Sequence, residues 1–175
     1  GRLLGVVPKT HLPNYGEFYE LRQFSSAKTL EGRTYTLPLC GQSVPFGTEL
    51  LFCCSGMQDY TFGVELCEDL WVPLPPSVNL AQGGAHIIVN LSASDEMVGK
   101  DSYRRSLVGA TSARLACGYV YCSASPTEST QDMVFSRHHL IAENGTILAE
   151  NEPFGDASLT VSEIDVQRLM HERHR

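Results

Sequence analysis

The residue whose type and position are best suited to chemistry is Cys67, within the stretch from Gly63 to Asp69. An apolar run ends at this cysteine, and Glu68 and Asp69 follow it. A thiol at the tip of a buried strand is held rigidly while its sulfur faces a cleft, as a covalent nucleophile requires. Acidic neighbours alone disfavour the thiolate, so the thiol needs a cation from elsewhere in the chain. The alternative is a buried structural thiol, the more common role of a cysteine.

Lys9 is the candidate cation. It follows Pro8 and the apolar segment Leu3–Val7, which we expect to be a strand. Because neighbouring parallel strands bring their carboxyl ends to one edge of a sheet, this strand would carry Lys9 towards Cys67. The loop from Lys9 to Glu20 is rich in aromatic and turn-forming residues, unlike an ordinary surface loop. Solvent exposure is the alternative for a single lysine.

The elements that must position these residues alternate along the chain. A strand ending at Cys67, a helix from the N-cap Ser77 to Gln82 and an apolar strand over His86–Leu91 predict a βαβ unit with parallel strands. Asn144 and Gly145 predict a two-residue hairpin turn. Two strands with a bend near Gly47 are predicted over Val44–Cys54. A helix over Asp101–Cys117 is predicted to end at Gly118, with Arg104 and Arg105 off its apolar face. The remaining predicted elements are strands over Tyr119–Ala124, His139–Glu143, Thr146–Glu150 and Leu159–Val166, and a charged helix over Gln167–Arg175. This order predicts a layered α/β fold.

The composition excludes several classes of protein. The 175 residues are 42% hydrophobic and 19% charged, which fits one globular domain over residues 1–175. A net charge of −7 with scattered basic residues disfavours nucleic-acid binding. No apolar run approaches the length of a membrane span, so we expect a soluble cytoplasmic protein.

The cysteines and histidines do not form a recognisable metal or disulfide pattern. None of the six cysteines forms a CxxC pair, and several lie in apolar runs, so reduced thiols are the favoured interpretation. The histidines lack ligand spacing to the cysteines, and we predict no metal site.

Three motifs carry a family resemblance. They are Lys-x-x-Leu-Pro-x-Tyr-x-x-Phe-x-Glu from Lys9, Glu-Leu-Cys-Glu-Asp around Cys67, and Asn-Leu-Ser-Ala-Ser from Asn90. In this order they resemble the nitrilase (carbon–nitrogen hydrolase) superfamily. The proline-rich stretch after Cys67 and the Glu-Asn-Gly hairpin resemble, more narrowly, the glutaminase domain of glutamine-dependent NAD synthetases. The resemblance covers nearly the whole chain and implies a nitrilase-like α-β-β-α sandwich, of which this chain would be a part.

The resemblance also implies roles for individual residues. Cys67 would attack the side-chain amide of glutamine and hold a glutamyl thioester. Lys9 would stabilise the oxyanion together with the backbone N–H of Glu68. The positions that would bind glutamine are Tyr15, Ser94 and Lys100. Glu20 matches a glutamate that would support the lysine, although it could equally be a surface residue.

The chain departs from this family in two respects. The family's general-base glutamate precedes the catalytic lysine by a long stretch, whereas only eight residues, none acidic, precede Lys9. The chain also lacks the Ser-Gly-Gly-x-Asp-Ser pyrophosphate loop of the synthetase domain. We therefore expect the C-terminal part of a glutaminase domain within a longer polypeptide, in which the absent synthetase domain would use ATP and Mg²⁺. We expect no cofactor in this chain itself.

Two other interpretations stay open. The chain could be another nitrilase-family amidase or carbamoylase, or a structural fragment whose site is vestigial. The partners implied by the resemblance are glutamine, the synthetase domain and further copies of the same protein, since this superfamily commonly pairs its sheets into oligomers.

Overall fold

The computed structural model describes residues 1–30, 32–57, 59–156 and 159–174. Within these residues the strands are β1 (Tyr35–Leu39), β2 (Gln42–Phe46), β3 (Leu51–Cys53), β4 (Thr61–Leu66), β5 (Ile87–Ser92), β6 (Gly118–Ser123), β7 (Leu140–Glu143) and β8 (Thr146–Glu150). The α-helices are α1 (Pro76–Gln82), α2 (Lys100–Leu115) and α3 (Val166–Arg173). No helix in the described part of the chain is long and apolar enough to cross a membrane.

A mixed sheet of six strands, ordered β3-β4-β5-β6-β7-β8, forms the centre of the fold. Strands β4, β5 and β6 are parallel, and the outer pairs are antiparallel. The βαβ prediction is therefore confirmed. Helix α1 makes the crossover between β4 and β5, and both strands end at the edge of the sheet where Cys67 lies.

The core lies between this sheet and helices α1 and α2. Helix α1 packs against β4 and β5, and α2 against β6, β7 and β8. Alternate residues of the strands point towards the helices, as a pleated sheet requires. The buried apolar residues of this layer are Leu70, Leu80, Ala85, Ile88, Val108, Cys117, Tyr119, Tyr121, Leu140 and Ala142. On the opposite face Leu91 is half-exposed. The described residues thus contain one helix layer and one large sheet of the predicted α-β-β-α sandwich.

The hairpin between β7 and β8 has the predicted turn. Asn144 and Gly145 both have positive φ, at 43° and 90°. This is the backbone of a two-residue turn that matches the twist of the flanking strands, and glycine and asparagine adopt it most readily.

Two predictions about strands are wrong. Leu3–Val7 is not a strand; only Val6 forms an isolated parallel bridge, to Phe46, because Pro8 has no N–H with which to continue a ladder. The two strands predicted over Val44–Cys54 are present as β2 and β3; β2 pairs with β1, and β3 pairs with β4. Residues 159–165 form no strand, although their burial alternates, because no neighbouring strand accepts them.

The predicted helix boundaries also need correction. Helix α1 is capped by Pro75 rather than Ser77, because Pro76 supplies a preset φ at the first helical position. Helix α2 ends at Leu115 and is followed by the C-cap residue Ala116, which is left-handed at φ 44°, whereas Gly118 begins β6. A Cβ at Gly118 would lie 2.9 Å from the Ile164 side chain, so its glycine serves packing rather than a helix end. Arg175 of the predicted last helix lies outside the described residues.

Arg173 ties the last helix to the ends of the other two. Its guanidinium donates to the carbonyl oxygens of Ala81 at 3.3 Å, Ala85 at 2.6 Å and Ala116 at 3.0 Å. These carbonyls lie at or beyond the C-termini of α1 and α2, where no intrahelical donor is available. A single cation therefore caps two helices.

Candidate active site

Cys67 occupies a sharp turn between a strand and a short helix. Strand β4 ends at Leu66, and a 3₁₀ helix runs over Cys67–Leu70. Cys67 has a φ of 46°, in the left-handed region that a side-chain-bearing residue adopts only at a cost of about 1–3 kcal/mol. Its N–H donates to Asn90 Oδ1 at 3.2 Å. The Glu68 N–H lies in the first helical turn, where the helix itself offers no acceptor, so it can donate to a ligand.

Asp69 fastens the loop after Lys9 to this turn. Its buried carboxylate accepts hydrogen bonds from the Leu66 N–H at 3.1 Å and from the His11 N–H at 2.8 Å. His11 Nδ1 lies 3.0 Å from the same carboxylate. Sequence reasoning did not assign this role to Asp69 or His11, because the two segments are 58 residues apart. The loop that carries Lys9 therefore reaches the cysteine turn through hydrogen bonds rather than through a strand.

A cavity of about 530 Å³ opens beside Cys67. Its size falls in the range of small-molecule sites. It lies where the parallel strands β4 and β5 end, the usual location of ligands in α/β sheets. The lining residues are Tyr15, Glu17, Phe18, Cys67, Glu68, Trp71, Ser94, Asp95, Met97, Val98, Gly99, Lys100 and Tyr103. Four of the five predicted site residues, namely Cys67, Tyr15, Ser94 and Lys100, thus surround one cavity.

Lys9, the fifth predicted residue, lies in the adjoining loop. Its ammonium is 2.8 Å and 2.6 Å from the two carboxylate oxygens of Glu20. The lysine side chain is 17% exposed, so the solvated alternative does not hold. Among the described residues, Lys9 does not line the cavity. Glu20 is thereby placed as the direct partner of the lysine, whereas contact between Lys9 and Cys67 stays a prediction.

Tyr15 and Glu68 form a polar edge of the cavity. The Tyr15 hydroxyl lies 3.0 Å from both carboxylate oxygens of Glu68 and donates to them. Partial burial, with this hydrogen bond and the nearby negative charge, raises the pKa of Tyr15 to about 12. The hydroxyl therefore stays protonated at neutral pH and orients the carboxylate.

Lys100 provides a cation among the residues that line the cavity. Its ammonium lies 5.3 Å from the centre of the Trp71 ring, within range of a cation–π interaction. Burial lowers the pKa of Lys100, and the Arg104 charge acts in the same direction. Asp95 and Cys67, when charged, act in the opposite direction. An anionic ligand group would be attracted to this half-buried ammonium.

The segment that carries Ser94 and Lys100 is anchored by Arg104, which the sequence pattern placed outside the core. The guanidinium is fully buried and lies 2.9 Å from Glu96 Oε2. It also donates to His138 Nδ1 at 2.8 Å, and His138 Nε2 donates to Glu150 at 2.9 Å. The prediction that Arg104 lies off the buried face of α2 is therefore wrong. Glu96 and His138 stabilise Arg104 in a buried position that the helical spacing of apolar residues did not predict. Neither partner was identified from the sequence.

Comparison with known proteins identifies close relatives of the chain. The glutamine-dependent NAD(+) synthetase of Mycobacterium tuberculosis is 42% identical over 176 residues, which cover 100% of this chain and 26% of the relative. The enzyme of the same name from Rattus norvegicus is 32% identical and matches 95% of this chain and 23% of its own length. The chain thus spans about a quarter of the curated relatives that it matches. A scan of protein-family models gives no match.

Solved structures confirm the predicted fold. A glutamine-dependent NAD(+) synthetase from Cytophaga hutchinsonii superposes with a TM-score of 0.75 at 27% identity, over 90% of this chain and 25% of that chain. A carbon–nitrogen hydrolase from Helicobacter pylori superposes with a TM-score of 0.66 at 16% identity, over 95% of this chain and 54% of that chain. The chain therefore has the fold of the carbon–nitrogen hydrolases.

Proposed function

We propose that this chain is the part of a glutaminase that carries the cysteine nucleophile. It is similar to about a quarter of the length of glutamine-dependent NAD(+) synthetases. Glutamine would bind in the cavity beside Cys67, with Lys100 facing its α-carboxylate. Tyr15 and Ser94 would complete the binding site. The ammonia released would serve the ATP-dependent amidation of deamido-NAD by a synthetase domain of the same polypeptide.

The chemistry follows from a cysteine in this position. The Cys67 thiolate forms a C–S bond to the amide carbon, and the carbonyl oxygen becomes an oxyanion. Lys9 and the Glu68 N–H would stabilise that charge. Collapse of the intermediate breaks the C–N bond, and the nitrogen gains the proton that the thiol gave up and leaves as ammonia. Water then attacks the thioester, so that glutamate leaves and the thiol is regenerated.

The observation that carries this proposal is the convergence of Cys67, Tyr15, Ser94 and Lys100 on one cavity. Tyr15, Cys67 and Ser94 come from three separate motifs, and Lys100 follows the third motif by six residues. Cys67 is held in a left-handed conformation, which persists in a protein only where surrounding contacts impose it. A merely structural thiol requires neither the cavity nor this backbone geometry.

Covalent labelling tests the nucleophile most directly. A chloromethyl ketone analogue of glutamine should alkylate Cys67, because the thiolate displaces chloride in a step that needs no proton donor. Mass spectrometry of peptides should find the adduct at Cys67 and show that added glutamine slows its formation. Lys100→Gln should weaken the protection by glutamine because the α-carboxylate loses its cation.

The control for this experiment is Cys122→Ser, which removes an exposed thiol on β6 and should leave the labelling unchanged. An adduct mainly on Cys53, Cys54 or Cys122 would contradict the assignment of the nucleophile. Equal protection by a simple aliphatic amide that lacks the α-amino and α-carboxylate groups would favour the amidase alternative.

The place of this chemistry in a larger enzyme has a separate test. In the polypeptide that contains this chain, Cys67→Ala should abolish NAD synthesis from glutamine and preserve synthesis from added ammonia. ATP and Mg²⁺ would act in the synthetase domain rather than in this chain. Loss of both activities would instead indicate a structural role for Cys67. A cytoplasmic location and assembly into oligomers are part of the same proposal.

A further inference from the structure

A buried chain of hydrogen bonds begins at the backbone of Cys67 and ends at Glu65. The Cys67 N–H donates to Asn90 Oδ1, and Asn90 Nδ2 donates to the Tyr119 hydroxyl oxygen at 3.2 Å. The Tyr119 hydroxyl donates to a carboxylate oxygen of Glu65. The other oxygen of Glu65 accepts the Ser77 N–H at 2.9 Å. Glu65, Asn90 and Tyr119 are each at most 1% exposed, so water does not substitute for any member.

The direction of each hydrogen bond is fixed by its neighbour. A tyrosine hydroxyl has one proton, and here that proton goes to Glu65. Its oxygen is then an acceptor, which only the Nδ2 end of the Asn90 amide can satisfy. The Oδ1 end must therefore face the Cys67 N–H. The register places Asn90 directly beside Glu65 on the neighbouring strand, which keeps the chain short.

We propose that Asn90 is a positioning residue for Cys67 and that the Glu65 carboxylate, acting through Tyr119, sets the orientation of the Asn90 amide. The inference rests on the proposed role of Cys67 as nucleophile. The bond from Asn90 holds the left-handed backbone of Cys67, and this backbone aims both the thiol and the next N–H, that of Glu68. A small displacement of these atoms would cost about 100-fold in rate, since alignment errors near 1 Å have that effect.

Glu65→Gln reverses the pattern without a change of shape. The carbonyl of the introduced side-chain amide must face the Ser77 N–H, so its NH₂ group would donate to the Tyr119 oxygen. Tyr119 would then donate its proton to Asn90, and the Asn90 amide would turn its Nδ2 end to the Cys67 N–H. Two donors would face each other, and the Cys67 turn would lose its anchor.

Tyr119→Phe in the Glu65→Gln background should restore the anchor. Without the hydroxyl, nothing forces the Asn90 amide to turn, and Oδ1 can again accept from Cys67. The same change leaves a buried amide end unpaired, which destabilises the fold. Activity and stability are therefore expected to change in opposite directions, and a residue with only a structural role would lower both.

The experiment compares steady-state glutamine hydrolysis and urea unfolding in four proteins made in the intact polypeptide. Relative to the parent, E65Q should lower kcat by about 10- to 100-fold with KM within about twofold. E65Q/Y119F should recover a substantial part of kcat and unfold at lower urea. The matched control is E143Q. Glu143 is a buried glutamate on β7 that accepts a hydrogen bond from the Asp165 N–H at 2.7 Å, and the kcat of the E143Q protein should equal that of the parent. A kcat for E65Q within twofold of the parent, or a further fall in the double variant, would overturn the proposal.

A second readout does not depend on glutaminase activity. In [¹⁵N]cysteine-labelled protein, the amide signal of Cys67 can be assigned by its loss in Cys67→Ala. Hydrogen exchange at this amide should accelerate at least tenfold in E65Q and remain at the parent rate in E143Q. If E65Q does not fold, N90L removes the acceptor while keeping similar volume, and it should show the same acceleration. Unchanged exchange would refute the positioning role, whereas faster exchange in a protein that does not hydrolyse glutamine would refute only the proposed function.

Discussion

Two consecutive arginines of α2 provide a direct test of how the site is supported. Arg104 lies 2.9 Å from Glu96, and Arg105 lies 2.8 Å from Glu150. The two ion pairs have nearly equal lengths and differ mainly in burial. The Arg104 side chain is 0% exposed, whereas that of Arg105 is 55% exposed. Replacing each arginine with methionine keeps the helix and most of the side-chain volume.

We expect R104M to lower the free energy of unfolding by about 3–5 kcal/mol, because it leaves the Glu96 charge buried without its partner. His138 Nδ1 also loses its hydrogen-bond donor, so we expect a loss in the upper part of this range. R105M should cost no more than about 1 kcal/mol, because water replaces the lost partner of an exposed pair. Burial alone thus predicts a difference of about 2–5 kcal/mol between adjacent substitutions.

Urea denaturation of the two variants measures this difference. The double variant E96Q/R104M should regain part of the loss, since a neutral amide is cheaper to bury than an unpaired carboxylate. Glu96 directly precedes Met97, which lines the cavity, so R104M should also weaken the protection of Cys67 by glutamine. Equal losses in R104M and R105M, or a greater loss in the double variant than in R104M alone, would refute the reasoning.

Two further predictions concern the supports of the fold. R173M removes the donor that caps α1 and α2 and should lower the free energy of unfolding by about 1.5–3 kcal/mol. Q167M, at an exposed position of the same helix, should cost less than about 0.5 kcal/mol in the same urea titration. Burial acts to raise the pKa of Glu150, but the hydrogen bonds from Arg105 and His138 and the charge of Arg105 outweigh it and lower the pKa. Its ionised form therefore stabilises the fold fully above the unfolded pKa, near 4.5, and this contribution is lost as the pH falls through the lower folded value. The urea midpoint of E150Q should accordingly fall less steeply below pH 4.5 than that of the parent, and parallel acid limbs would contradict the assignment.

The sequence was sufficient where a local pattern determines the structure. The Asn144-Gly145 turn needs positive φ at two residues, and few other dipeptides supply it. The apolar segment that became β5 is buried on both sides along much of its length and is therefore typical of a central strand. The position of Cys67 at the end of β4 followed from the change from apolar to acidic residues. These predictions required no knowledge of which segments meet in space.

The sequence was insufficient where a distant partner determines the structure. Arg104 has the residue type of a surface position, and its burial is explained by Glu96, His138 and the Tyr121 ring, which reach it from other segments. The Leu3–Val7 segment has strand composition but meets a partner at a single residue. The loop after Lys9 nevertheless reaches the cysteine turn, because the Asp69 side chain accepts a hydrogen bond from the His11 N–H.

These long-range polar contacts also explain how an unfavourable backbone can persist at Cys67. A left-handed cysteine costs about 1–3 kcal/mol, and a single neutral hydrogen bond returns only about 0.5–1.5 kcal/mol. The turn therefore depends on several constraints at once: the bond from Cys67 to Asn90, and those from Leu66 and His11 to Asp69. If the anchors act together, loss of either one should release the turn almost as fully as loss of both. Asp69, two residues after the cysteine, therefore has a structural role, because it binds the loop that carries Lys9 while Asn90 binds the backbone of the nucleophile.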